Sequence, residues 1–353
     1  MREQLLPYLV TLLVAWLATD LLIPWVTLAA YRLGRVDTPD ARKVHTVPIP
    51  RLGGIAIFFG FVCSVALVEW LTPGQLFPHS GPYLGLVAGA ASIFLLGIAD
   101  DLRPLPAKVK LLVQIAAAGL AVYLGVRIDF LSNPSGGLIL LPPMFAVPLT
   151  VFWLVGITNT INLIDGLDGL AGGVSLIAAS TTALIAWQTH QPAITLLALA
   201  LMGATIGFLR YNWNPAKIFM GDSGSLFLGF TLAALSVIGV LKLVATAALL
   251  VPVLILGVPI FDTAFAIVRR AMQRQPIFSP DRGHLHHRLL GLGFSQRRSV
   301  LIIYGICLLL GGIALTLTGI KEGIVVLMTA VGLLVWGFSG RIFGTAKVSN
   351  TEP

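Results

Sequence analysis

Four short polar clusters in an otherwise apolar chain carry residue types that do chemistry together. Asp100-Asp101 closes the run Gly97-Ile98-Ala99-Asp100-Asp101-Leu102. Asn162, Asp165 and Asp168 recur every third residue in Asn162-Leu163-Ile164-Asp165-Gly166-Leu167-Asp168-Gly169, a spacing that stacks them on one side of a helical or 3₁₀ segment. Phe219-Met220-Gly221-Asp222-Ser223-Gly224-Ser225 is the third cluster, and Asp281-Arg282-Gly283-His284-Leu285-His286-His287-Arg288 is the fourth. Carboxylates and an amide with no thiol nearby select a hard cation. Mg²⁺ commonly binds through one or two carboxylates plus substrate phosphates, with Mn²⁺ as a substitute. The basic and imidazole groups would hold a pyrophosphate. Neither G-x-x-x-x-G-K-[ST] nor G-x-G-x-x-G occurs, so the standard nucleotide-binding loops are absent.

Blander readings stand beside these. Asp222 or Ser223 could simply cap a helix beginning near residue 225, and Asp168 could cap the next helix. The histidine run could be a basic membrane-surface loop or a zinc site, although no Cys lies near it. Acids at a helix C-terminus oppose the macrodipole, so a solvated helix end explains Asp100-Asp101 poorly. Neighbouring helical residues point about 100° apart. One of this pair can therefore face a cavity while the other orients a loop. Asp262 sits deep enough to suggest a structural partner or a supporting role behind the site, and Asp20 reads as structural.

The elements that must position these residues are membrane spans. The chain has 353 residues, 57% of them hydrophobic and 11% charged, against about 25% charged in a soluble domain. Residues 223–241, 243–261, 299–320 and 323–340 hold no Asp, Glu, Lys or Arg. A helix needs roughly 20 apolar residues to cross the hydrocarbon core, and its backbone must be satisfied internally. The expectation is an all-α polytopic membrane protein with about eleven transmembrane helices. They fall near 5–30, 52–71, 82–99, 109–126, 144–161, 170–188, 193–209, 224–241, 245–268, 299–318 and 323–340. The first is too long for a signal-peptide core and is read as retained.

With the N-terminus outside and the C-terminus cytoplasmic, the inner loops are 31–51, 100–110, 160–169, 210–223 and 269–298, with an inner tail at 341–353. These segments hold 19 of the 23 Lys and Arg, as the positive-inside rule requires. The net charge of +8 is therefore topology, and no nucleic-acid partner is expected. Residues 1–340 read as a single transmembrane catalytic domain. Nine of the fifteen acids lie at the inner ends of spans or in inner loops, which places the chemistry at the cytoplasmic boundary of the bilayer. Gly85 and Gly89 form a small-xxx-small pair that is compatible with a homodimer. Cys63 and Cys307 read as buried hydrophobes with no disulfide framework.

These motifs, together with Pro48-Ile49-Pro50-Arg51-Leu52-Gly53-Gly54, resemble the polyprenyl-phosphate N-acetylhexosamine-1-phosphate transferases, the family that includes WecA, TagO and MraY. The resemblance covers nearly the whole chain. It implies Mg²⁺-dependent transfer of GlcNAc-1-phosphate from UDP-GlcNAc to undecaprenyl phosphate at the bacterial cytoplasmic (inner) membrane, releasing UMP. It also implies roles. Asp222 is the main metal ligand, with Asn162 assisting. Asp168 contacts uracil and Phe219 stacks on it. Lys110, Arg282, His284, His286 and His287 hold phosphates, joined by His45 and Arg51 of the first inner loop. Asp100 acts near the lipid phosphate. Asp101 and Asp165 belong to the catalytic cluster without a separable role. His284-Leu285-His286-His287-Arg288 is unlike the MraY pattern of three consecutive histidines before an acid, which favours UDP-GlcNAc over UDP-MurNAc-pentapeptide. An ion-coupled transporter is the rival class, but the acids sit at one membrane edge and no inverted repeat is visible. A purely scaffolding membrane protein is the other.

Overall fold

The computed structural model describes residues 2–38, 47–74, 81–132, 137–239, 250–274 and 283–344. Thirteen helices run in the order α1 (Arg2–Arg32), α2 (Gly53–Leu71), α3 (Gly81–Leu102), α4 (Ala107–Tyr123), α5 (Pro143–Ile164), α6 (Leu170–Gln188), α7 (Pro192–Asn212), α8 (Gly221–Ile238), α9 (Leu250–Ile255), α10 (Gly257–Met272), α11 (Leu285–Gly291), α12 (Gln296–Leu317) and α13 (Gly323–Gly344). Two short antiparallel pairs complete the described residues. They are β1 (Val36–Asp37) with β2 (Ile49–Pro50), and β3 (Phe130–Ser132) with β4 (Leu138–Leu140). Among the described residues, eight helices are long and apolar enough to cross a membrane. The protein is an all-α polytopic membrane protein.

Local sequence explains where the helices start. Pro143 and Pro192 sit in the first turns of α5 and α7, where a missing N–H costs nothing and φ is already set. Ser295 caps α12 by accepting the Arg298 N–H. The crowded prolines before residue 144 therefore begin a span without disrupting it. The span expected at 245–268 is different. It is broken, with α9 ending at Ile255 and α10 starting at Gly257 across a non-helical Leu256. Pro252 and Pro259 straddle this break, and each lacks the N–H that a continuous helix would use.

α8 is the centre of the bundle. It packs on α2, α3, α5, α6 and α7, and 94% of its residues are buried, against 28% for the lipid-facing α1. Lipid offers no hydrophobic drive between helices, so close packing has to hold them. The contacts are correspondingly tight. A Cβ on Gly54 would lie 2.1 Å from the Gly224 nitrogen, and one on Gly97 would lie 2.4 Å from Ser223 Cα. α2 and α3 thus touch the first turn of α8 backbone to backbone. The Gly85–Gly89 pair is consumed in the same way. Gly85 meets α4 at Ala121, and Gly89 meets the Phe230 ring of α8. That pair therefore serves packing within one chain and gives no support to a homodimer.

Candidate active site

The ends of α3, α5 and α7 and the starts of α2, α4, α6 and α8 meet at one face of the bundle. The proline-rich loop makes the first contact. Phe219 donates its N–H to the Pro50 carbonyl at 2.7 Å, Gly53 donates to Phe219 O at 2.9 Å, and Gly54 donates to Met220 O at 2.8 Å. This short ladder fixes the backbone that delivers Phe219 and Asp222, so Pro50, Gly53 and Gly54 do their work through main chain.

Asp101 makes the second contact. Its Oδ1 accepts the Asp222 N–H at 2.8 Å, and its Oδ2 accepts the Ser223 N–H at 3.0 Å and the Ser223 hydroxyl at 2.6 Å. The cap of α8 therefore comes from another helix. The expectation that Asp222 or Ser223 caps a helix starting near 225 is corrected: α8 starts at Gly221 and has no local side-chain cap. The orphan N–H groups of a helix start need an acceptor, and a carboxylate also suits the positive end of the dipole. Asp222 is thereby freed to point away from its own helix.

Asp100 turns the other way. Its Oδ1 accepts the Leu105 N–H at 2.6 Å and its Oδ2 accepts from Lys110. The Lys110 ammonium stands 3.0 Å from Asp100 Oδ2 and 3.0 Å from Asp222 Oδ2. One cation is thus seated between two carboxylates. Asn162 closes the group, donating to Ser225 Oγ at 2.8 Å and reaching Asp222 Oδ1 at 3.3 Å.

A cavity of about 540 Å³ opens beside Asp222 and is lined by Arg51, Asn162, Asp165, Asp168, Phe219 and His287, among others. Six of the candidate residues named from sequence therefore share one chamber with Asp222. Asp168 is anchored through Oδ2, which accepts from Asn214 Nδ2 at 2.9 Å and from the Ala216 N–H at 3.1 Å. The turn that carries it is clamped at Gly169, whose φ of +78° is the left-handed region that glycine adopts without strain. Gly169 N–H donates to Asn212 Oδ1 at 2.9 Å, and its carbonyl accepts the Tyr304 hydroxyl. The carboxyl of Asp165 is pushed up to about 7. Desolvation is the main cause, Asp222, Asp101 and Asp168 add to it, and Arg51 opposes it.

The histidines form a file leading to the cavity. His287 lines it, and His286 is buried behind it. A Cβ on Gly166 would lie 2.8 Å from His286 Nε2. Burial, with the neighbouring His287 and His284, lowers His286 to about 4, so its ring is neutral at physiological pH. His45 and Arg282 lie outside the described residues. Asp20 is paired with Arg210, at 2.8 Å to both carboxylate oxygens, in keeping with a structural reading.

Sequence reasoning missed several members. Asp37, Asn212, Asn214 and Gln296 also line the cavity. Asn212 and Asn214 stood in view in Asn212-Trp213-Asn214-Pro215. Tyr304, inside an apolar span, gave no signal. Among the described residues, no three His, Cys, Asp or Glu side chains converge as a ready metal cage. The donor set is one carboxylate and one amide, with a second carboxylate nearby, and it is completed only when a ligand brings oxygens of its own. That fits a hard divalent cation held jointly with a phosphate.

The glycosyl transferase family 4 model matches residues 83–240, which contain Asp100 through Asp222. A probable undecaprenyl-phosphate N-acetylglucosaminyl 1-phosphate transferase of Bacillus subtilis is 46% identical over 302 residues, covering 86% of this chain and 82% of that protein. A decaprenyl-phosphate N-acetylglucosaminephosphotransferase of Mycobacterium tuberculosis is 40% identical, with 86% and 80% covered. An undecaprenyl-phosphate alpha-N-acetylglucosaminyl 1-phosphate transferase of Yersinia pestis is 31% identical, with 88% and 85% covered.

Proposed function

Because this chain belongs to glycosyl transferase family 4, we propose that it transfers GlcNAc-1-phosphate from UDP-GlcNAc to undecaprenyl phosphate, at the cytoplasmic face of a bacterial inner membrane. A phosphate oxygen of the lipid attacks the β-phosphorus of UDP-GlcNAc. The bond from that phosphorus to the oxygen bridging it to the α-phosphate breaks, and UMP leaves with the electron pair. The products are undecaprenyl-diphospho-GlcNAc and UMP. The observation that carries this reading is the single chamber joining Asp222 to Asp168 and Phe219. The carboxylate end assigned to the cation and the aromatic end assigned to the base line one volume.

In this reading Asp222 and Asn162 hold Mg²⁺, with Mn²⁺ as a substitute. A bound divalent cation would neutralise the negative charge that builds on the departing UMP oxygen. Lys110, 3.0 Å from both Asp100 and Asp222, can donate to a phosphate oxygen held beside them. Asp100 sets the position of Lys110 and faces the lipid phosphate. Arg51 and Arg282 add positive charge, and His45 and the histidine run add ring N–H donors, around the phosphates. Asp168 accepts from uracil while Phe219 stacks on the ring. A phosphomonoester is already mostly ionised at pH 7, so positioning and electrostatics suffice without a strong base.

The test measures UMP release by purified protein in detergent or liposomes, with UDP-GlcNAc, UDP-GalNAc and UDP-MurNAc-pentapeptide compared as donors. Release is expected only with UDP-GlcNAc, polyprenyl phosphate and a divalent cation together. Full activity in EDTA sinks the metal assignment, and release without the lipid sinks the transferase.

A further inference from the structure

Asp262 belongs to α10, outside every motif that the transfer reaction uses. It lies 22 residues before the histidine run and is nearly buried, with 9% of its side chain exposed against 8% for His284. One of its oxygens, Oδ2, lies 2.9 Å from His284 Nδ1. The other, Oδ1, accepts the Leu285 N–H at 2.8 Å. A single carboxylate thus holds both the ring of His284 and the first N–H of α11, whose N-cap residue is His284 itself.

We propose that Asp262 is a positioning residue for the transfer reaction, fixing His284 with its proton on Nδ1 and thereby holding the start of α11, which carries His287 to the chamber. This rests on the transferase reading given above. An ionised carboxylate can only accept hydrogen bonds, so the shared proton resides on Nδ1. The remaining nitrogen then accepts when the ring is neutral and donates when it is protonated. The carboxylate also fixes the ring plane, so His284 is the histidine of the run held in one orientation. Its neighbour differs in kind. The His286 ring is parallel to that of His284, within 1° and 5.8 Å away, but no carboxylate of the described residues hydrogen-bonds to it, and burial outweighs the more distant Asp262 charge and keeps it neutral. The two rings therefore divide the labour. His286 packs against the Gly166 turn, and His284 is oriented by Asp262.

Two measurements test this. Asp262→Asn keeps an acceptor for Leu285 but removes the charge and permits the other tautomer. Its kcat is expected to fall at least about tenfold, since losing the orienting carboxylate of an imidazole is costly. KM for UDP-GlcNAc should stay within about threefold, and Asp262→Glu should restore most of the rate. Wild-type kcat in well-folded Asp262→Asn overturns the proposal. The second measurement needs no variant at position 262. In ¹⁵N-histidine-labelled wild-type protein, the His284 signals, assigned by their loss in His284→Gln, should report protonated Nδ1. A neutral ring protonated on Nε2 overturns it. If the wild-type protein releases no UMP from UDP-GlcNAc, the transferase reading falls by itself, and the labelling result still decides whether Asp262 sets the tautomer.

Discussion

Asp101 and Asp165 sit on opposite flanks of Asp222, one at the foot of α3 and one at the turn after α5, and their surroundings differ in kind. Asp101 has both oxygens committed to the first turn of α8. Asp165 lines the chamber, and its carboxyl is held near 7 by desolvation and by three neighbouring acids. The α3 flank is scaffold: its carboxylate is satisfied by backbone and stabilises the fold. Burial raises both carboxyls, Asp101 to about 6, but only the α5 flank turns its raised carboxyl to the chamber, with negative charge gathered there before any metal ion is bound. An acid cluster of this kind costs stability and gains it back on binding. The two flanks together let one helix N-terminus be rigid and reactive at once.

The comparison can be broken at four points. Asp222→Ala removes the group both flanks serve, and UMP release should drop by about a hundred- to a thousandfold in protein that elutes normally on gel filtration. Asp168→Ala acts at the end of the chamber proposed for the nucleotide and also frees Asn214 and the Ala216 N–H. It should raise KM for UDP-GlcNAc about tenfold or more, with a smaller change in kcat and none in KM for the lipid, because a polar partner for the base is lost. Asp101→Ala attacks the scaffold flank. Leaving buried donors of α8 unsatisfied should cost about 1–3 kcal/mol, read as a lower thermal midpoint with and without Mg²⁺. Asp165→Asn should do the opposite of Asp101→Ala when no cation is present. The folded carboxyl titrates near 7 and the unfolded one near 4, so the folded state holds its proton more tightly. Its contribution is complete below about pH 4 and is lost as pH rises through about 7. Wild-type protein in EDTA should therefore lose thermal stability across that window, and Asp165→Asn should lose less. Equal slopes for the two would remove the charge tension from this flank.

Much of this arrangement is legible in the sequence because membranes make charge conspicuous. Charge-free runs predict the spans, and the acids left over at their inner ends predict the site. Six of the named residues line one chamber with Asp222 for that reason. What escapes is anything whose partner is distant in the chain. The Asp101 cap spans 121 residues to Asp222, and Tyr304 reaches Gly169 across 135. The α9–α10 break is only half visible, since Pro252 and Pro259 are tolerated in many membrane helices and only tertiary context decides whether they divide one. Local spacing says which residues are unusual. It does not say which of two adjacent aspartates faces the cavity and which supports the neighbouring helix.

That distant cap also has a consequence for biosynthesis. During synthesis α3 is complete long before α8 leaves the ribosome, so Asp101 waits at the membrane boundary with none of its three donors. Until Asp222 and Ser223 arrive, the growing chain has no assembled centre and exposes a carboxylate where the finished protein hides one. The same contact that completes the reactive centre thus removes the last mark of an unfinished chain, and a protein cut short before α8 should persist as an obvious target for membrane quality control.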